Sequence, residues 1–278
     1  MSFYGTSFSF DGISCEEFGL MLYDLDSSTQ GESSWATGTK IKEERIPGRV
    51  RSIYYGKTEE SNLEFTLIFG ADEHAARAGE PIDRYEMQAI AWWLTGPDDY
   101  RYLQIDQPDM AGLRYRCIIT DLKMIEPHGK KWAFSCKVHC DSPYAYTFPQ
   151  TYKYPLTKGL SRMGTLVNPS TVNDLYYPKI AIALSGGTSF SIRNLSTNTS
   201  MTFDGLPQTP ATLEIDCQNG IILESSGLNM YPYYNNTQTL NRFSFLSLIP
   251  GSNALSIRSS DCVGTITFEC EFPMNVGG

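Results

Sequence analysis

Long apolar runs are missing from this chain, and histidines, basic clusters and a leader-like start are scarce or absent. No stretch approaches the ~20 consecutive apolar residues that a bilayer-spanning helix needs, although 41% of the 278 residues are hydrophobic. A soluble chain without a membrane span is expected. Only three histidines occur, which leaves little room for imidazole chemistry. Met1-Ser2-Phe3-Tyr4-Gly5 has neither the basic start nor the apolar core of a secretory signal, so folding in a reducing cytoplasm is the expectation. The formal charge of −9 comes without a lysine–arginine cluster, whereas a nucleic-acid surface must neutralise phosphates.

The usual catalytic phrases are absent too. No serine sits in a Gly-x-Ser-x-Gly elbow and no Gly-x-x-x-x-Gly-Lys cradle is present. Ser185-Gly186-Gly187-Thr188 lacks the lysine and a following helix, so it reads as a turn. Cys136-Lys137-Val138-His139-Cys140 looks like a metal cluster, but on a strand Cys136 and Cys140 face one way and His139 the other, so the ligands diverge. His74 reads as part of a polar loop. Asp98-Asp99 and Glu59-Glu60 read as solvated pairs, since adjacent carboxylates point apart and general acid–base work needs partners placed at a cleft. Asn194-Leu195-Ser196, Asn198-Thr199-Ser200 and Asn235-Asn236-Thr237 match the glycosylation pattern, but without a secretory signal they read as turns. No catalytic residue, metal ligand or cofactor is assigned, and an enzyme is not expected.

Seven cysteines are present, an odd count. Most occupy apolar positions of alternating strands, where a free thiol packs as a small hydrophobe. Disulfides are not expected.

A chain of this length is comfortable with two cores. Residues 1–150 hold 15 basic and 23 acidic side chains, and residues 151–278 hold 7 and 8, so the two halves have different surfaces. The boundaries are drawn at 1–145 and 146–278.

In the first half, Leu63, Phe65, Leu67 and Phe69 mark a strand and Tyr100 to Ile105 another. Leu113 to Met124 and Trp132 to Cys140 form a hairpin around Glu126-Pro127-His128-Gly129-Lys130. A helix near 81–95 has Pro81 in its first turn and stops at Thr95-Gly96-Pro97, with Ile82, Tyr85, Ala89 and Trp93 on its packing side. Residues 143–179 read as a crossover. Short strands follow at the spacing of a β-sandwich: Ile180 to Leu184, Phe190 to Asn194, Met201 to Phe203, Leu213 to Cys217, Ile221 to Glu224, Asn241 to Leu248, Leu255 to Arg258 and Gly264 to Phe272. In the last of these Ile266, Phe268, Cys270 and Phe272 alternate with polar neighbours, the pattern of a half-buried strand.

Tyr231-Pro232-Tyr233-Tyr234 reads as a polar loop whose rings could stack on sugar faces, join a protein interface or cover the sandwich edge. Tyr231, Tyr233 and Tyr234 are therefore candidate glycan or partner contacts.

The order of these elements resembles the distal tail proteins, Dit, of long-tailed non-contractile bacteriophages and related prophage tail components. The phrases that carry the resemblance are Phe8-Ser9-Phe10-Asp11-Gly12-Ile13-Ser14 with Phe18-Gly19-Leu20, Ile46-Pro47-Gly48-Arg49, the Leu63 to Phe69 strand, the helix ending in Trp92-Trp93-Leu94-Thr95-Gly96, and the hairpin ending at Asp141-Ser142-Pro143. In the second half they are Tyr177-Pro178-Lys179-Ile180, Ile192-Arg193-Asn194, Leu213-Glu214-Ile215-Asp216 and Leu248-Ile249-Pro250-Gly251-Ser252-Asn253. Each phrase is degenerate alone, and the specificity lies in their order along nearly the whole chain.

The resemblance implies a mainly β fold with one notable helix. Its N-terminal part is a tail-tube-like β-sandwich or split barrel, and its C-terminal part a galectin-like β-sandwich. It implies a virion structural protein, a homohexameric ring that joins the tail tube protein to the tail-tip hub. Some members also carry receptor-binding components, and DNA passes through the lumen unread. The location implied is the virion tail tip, with the host cytoplasm as the site of assembly. Lys40 to Tyr55, with Arg45, Arg49 and Arg51 among Glu43 and Glu44, reads as an extended hairpin, and Arg45, Pro47, Gly48, Arg49 and Arg51 are candidate ring-interface residues. The family's inserted carbohydrate-binding domains have no counterpart here. The alternative reading is a carbohydrate-binding module used in host-cell adsorption.

Overall fold

The computed structural model describes residues 6–23, 39–59, 61–71, 82–108, 111–125, 133–208, 210–234 and 244–276. Two compact units emerge, one of residues 1–146 together with 274–278 and one of residues 147–273. Val276, near the end of the chain, is buried in the core of the first unit.

The first unit contains β1 (Ser7–Phe10), β2 (Ile13–Ser14), β3 (Leu20–Leu22), β4 (Thr39–Glu44), β5 (Ile53–Glu59), β6 (Glu64–Ala71), α1 (Arg84–Thr95), β7 (Arg101–Asp106), β8 (Leu113–Ile125) and β9 (Ala133–Cys140). Its main sheet runs β2-β1-β7-β8-β9-β6-β3, all antiparallel. The sheet does not close into a barrel, although the Leu22 N–H of β3 donates to the Thr6 carbonyl just before β1 at 2.9 Å. Register follows the alternation of apolar residues: Phe8 faces Ile105, Phe10 faces Leu103, Leu67 faces Cys136 and Phe69 faces Phe134, so each pair adds to one buried face.

Helix α1 starts from a capping box in which Asp83 accepts from the Glu86 N–H at 2.8 Å and Glu86 from the Asp83 N–H at 3.0 Å. Its buried face is Ile90, Trp93 and Leu94, with Met87 packed beside them. This corrects the sequence reading, because Tyr85 and Ala89 are exposed and Ile82, though buried, precedes the cap. Trp93 stacks on Phe8 and Phe18 at ring separations of 5.8 and 4.8 Å and donates its indole N–H to the Phe10 carbonyl at 3.0 Å. The helix is thereby pinned to the sheet.

After β10 (Ala145–Thr147), the second unit carries β11 (Gln150–Leu156), β12 (Ser161–Asn168), β13 (Lys179–Gly186), β14 (Phe190–Asn194), β15 (Thr199–Phe203), β16 (Ala211–Asp216), β17 (Ile221–Glu224), β18 (Gly251–Ser259) and β19 (Val263–Cys270). They form a sandwich of a five-stranded sheet, β11-β19-β13-β16-β17, and a four-stranded sheet, β12-β18-β14-β15. Ile180, Ile182, Ile192, Phe203, Leu213, Leu255, Ile266 and Phe268 meet in the core between them. A final strand, β20 (Pro273–Met274), pairs with β10.

Two expectations fail in this unit. The supposed crossover contains β11 and β12, whose pattern of Tyr152, Tyr154 and Leu156 between Thr151, Lys153 and Pro155 is polar enough to pass for a loop. Residues 244–248 are not a strand, and 241–243 lie outside the described residues. Leu246, Ser247 and Leu248 are all buried, so both sides of the segment are covered.

Edge strand β12 is finished by β11. The Tyr152 and Tyr154 hydroxyls donate to the Val167 and Thr165 carbonyls at 3.0 and 2.8 Å. Gly164 makes room for this: a Cβ there would lie 2.5 Å from the Tyr154 ring.

In the β13–β14 turn, Asp261 accepts from the Thr188 and Ser189 N–H groups, each at 2.9 Å, and from the Thr188 hydroxyl at 2.8 Å. These bonds, led by that of the Thr188 backbone, hold its carboxyl below the usual carboxylate range. The turn is therefore stabilised above the unfolded-state pKa, and the stabilisation is lost as pH falls through the lower folded value. Asp261→Asn should flatten the acid side of the stability–pH curve, as followed by urea unfolding between pH 3 and 7. An unchanged curve would mean that these bonds carry no pH linkage.

Candidate functional site

Among the described residues, strands β4 and β5 pair only with each other, in a two-stranded sheet of their own. The extended hairpin read from Lys40 to Tyr55 is thus an arm. Ile46-Pro47-Gly48-Arg49 forms its turn, with the Arg49 N–H donating to the Ile46 carbonyl at 3.1 Å and Gly48 at φ +86°. Proline followed by a glycine with positive φ is the requirement of a type II turn. Lower down, the register slips between Lys42 and Glu43 opposite Gly56, whose φ is +118°, the mark of a bulge that twists the arm. The Tyr55 hydroxyl donates to Glu44 at 3.1 Å beside it.

The arm presents what a solvated loop would hide. Val50 is 98% exposed, Ile41 63%, Tyr54 62% and Tyr55 61%, and Arg45, Pro47, Gly48, Arg49 and Arg51 are exposed around them. Contiguous exposed apolar groups rimmed by charge mark interaction surfaces. None of the three arginines has an ion-pair partner among the described residues.

A second unusual surface lies on α1. Tyr85 is 83% exposed and Trp92 78%, and two helical turns of spacing place both on the stripe opposite the buried face. Sequence reading missed Trp92 because an aromatic beside Trp93 defaults to core.

The tyrosine loop does not offer free rings. Tyr234 is buried, donates its hydroxyl to the Ser244 carbonyl, and stacks on Phe245 at 5.3 Å. Tyr231 and Tyr233 are half-buried and pack against the sandwich core, so the premise of an exposed platform is corrected. Asn235 and Asn236 lie outside the described residues. Asn194 is fully buried and donates to Asn253 and to the Ser247 carbonyl, which removes it as a glycan acceptor.

Cys136 and Cys140 point into the core, and burial pushes both thiols up to about 12. His139 faces out and pairs with Glu64 at 2.6 Å. Thiolates are suppressed at neutral pH in such surroundings, and all seven cysteines are free and buried. Among the described residues no three His, Cys, Asp or Glu side chains converge as a metal site. Asp98 and Asp99 are exposed; His74 and Glu60 lie outside the described residues.

An open, helix-backed β sheet with a projecting arm, followed by a β-sandwich, is a Dit-like architecture of phage tail proteins. Residues 3–142 match the family model described as the phage tail protein N-terminal domain; this is half of the chain, and the chain belongs to that family. Among solved structures, the Dit protein of phage SPP1, described as a paradigm of the hub adsorption apparatus in phages infecting Gram-positive hosts, aligns with a TM-score of 0.63 at 12% identity, over 96% of this chain and 98% of that one. A chain of the phage P2 baseplate in its activated conformation aligns with a TM-score of 0.50 at 10% identity, over 91% and 90%. At these identities the likeness speaks for the fold. No curated protein sequence matches the chain.

Proposed function

We propose that this phage tail protein is a ring-forming distal tail component that joins the tail tube to the host-adsorption apparatus and works through interfaces rather than catalysis. The observation that carries the reading is the fold likeness to one Dit chain across almost the full length of both. The arm supports it, since a strand pair with four large exposed apolar side chains suits burial against a neighbour. In this reading six copies close a ring at the tail tip, with the tube protein on one side and the hub on the other. Arg45, Pro47, Gly48, Arg49 and Arg51 contact the next copy. Acidic net charge suits a lumen through which DNA slides without being gripped.

Negative-stain imaging of the purified full chain, and of tails labelled with an antibody against it, tests the proposal. Six-membered rings with an open channel, and label confined to the distal end, are the expected result. Label spread along the tube, or tails without it, would overturn the assignment.

A further inference from the structure

Each described surface of the first unit with large exposed aromatics has a charge of its own. The arm tip, residues 45–52, contains Arg45, Arg49 and Arg51 and no acidic residue, so its formal charge is +3. Residues 82–99, which include α1, contain Asp83, Glu86, Asp98 and Asp99 against Arg84, a formal charge of −3. The two segments are equal and opposite.

The helix side has the chemistry that guanidinium groups seek. Tyr85, Gln88, Ala89 and Trp92 share the exposed stripe. Trp92 lies over the turn that follows, since a Cβ on Gly96 would stand 3.5 Å from the indole Cδ1. That turn continues directly into Asp98 and Asp99. The exposed indole of Trp92 can take one arginine by stacking, and the exposed carboxylates of Asp98 and Asp99, the latter also accepting from the Tyr100 N–H at 2.7 Å, can take another by charge-assisted hydrogen bonds. Val50, 98% exposed between Arg49 and Arg51, supplies an apolar contact for the stripe. Beneath it, the capping box and the buried Trp93 hold α1 in place, so the surface is rigid before anything binds.

We infer that the Tyr85–Trp92 stripe with Asp98 and Asp99 is the docking site for the arm tip of a second copy of this chain. Among the described residues of one copy β4 and β5 pair only with each other. A contact made by the tip of one copy on the helix of the next is heterologous, and repeated through successive copies it closes a ring or extends a filament. The inference deepens the ring reading and rests on it for the number of copies.

Two reversed full-length chains test it: one with Arg45→Glu, Arg49→Glu and Arg51→Glu, the other with Asp98→Lys and Asp99→Lys. All five positions are exposed, so each chain should fold. Each alone should associate at least about tenfold more weakly than the unaltered chain in sedimentation velocity at low salt, with the gap narrowing at high salt. A one-to-one mixture should recover, because alternating copies then meet complementary charges at every contact. Normal association of either reversed chain, or no recovery on mixing, would overturn the docking site.

Cross-linking separates this inference from the ring itself. Val50→Cys and Gln88→Cys chains, mixed and treated with a bismaleimide, should form an adduct that neither chain forms alone, since the native thiols are buried. Rings in images without the adduct would sink the docking site and leave the ring standing. The adduct in open filaments would sink the ring and keep the docking site. Neither adduct nor ring would remove both.

Discussion

Gly187→Ala should destabilise the second unit by about 2–5 kcal/mol, more than any exposed substitution in it. A Cβ at this position would lie 2.3 Å from Cys262 Cα, 2.6 Å from its nitrogen and 2.7 Å from the Asp261 carbonyl. All three are backbone atoms, so no rotamer change relieves the clash. The residue also sits at φ +105°, where an L side chain is strained whatever the space. Overpacking costs typically 1–3 kcal/mol and the disfavoured backbone about 1–2 more. With m-values of about 2 kcal/mol per molar urea, the midpoint should fall by about 2 M. Gly205→Ala is the control, because its φ is +72° but its Cβ would meet nothing within 4 Å. Equal losses for the two variants would show that φ alone, not the approach to Cys262, constrains the turn.

Asn253→Ala should cost about 4 kcal/mol through a different mechanism. Its carboxamide is fully buried and accepts from the Ile249 N–H at 3.0 Å and from Asn194 Nδ2 at 2.9 Å. It donates to the Ile249 and Gly251 carbonyls at 2.8 and 3.2 Å. Alanine leaves the half-buried Ile249 N–H and carbonyl without this partner, at about 1–3 kcal/mol for each unsatisfied group and less than additively, while Asn194 keeps the Ser247 carbonyl and Gly251 is exposed. Ser252→Ala, on the exposed neighbour, should change the urea midpoint within error. If Asn253→Ala did the same, the network would contribute nothing beyond its volume.

These two sites show unequal legibility. Ile249-Pro250-Gly251-Ser252-Asn253 was recognisable as a turn phrase from proline and glycine. What its asparagine does depends on Asn194, 59 residues away, which no local pattern contains. Strands with strict alternation were readable: Phe190–Asn194 was placed to the residue, and Cys136 and Cys140 lie on the buried side opposite His139, as expected. The face of α1 was misread because Ile82 was taken as its seed, although it lies before the Asp83 cap. Strands β11 and β12 hid because exposed edge positions tolerate Thr, Lys, Ser and Arg, leaving little apolar contrast. The arm was visible as charge among few core residues. Its bulge at Gly56 and the exposure of Trp92 required coordinates, since both depend on what is packed nearby.

The hydroxyls of Tyr152 and Tyr154 have a consequence for self-association. An open sheet edge is a template on which any extended segment can grow, and crowding raises the rate of that growth. Two β12 carbonyls that could recruit a foreign strand are already held by side chains from within the same fold. Those two positions of the edge are therefore closed to an incoming strand.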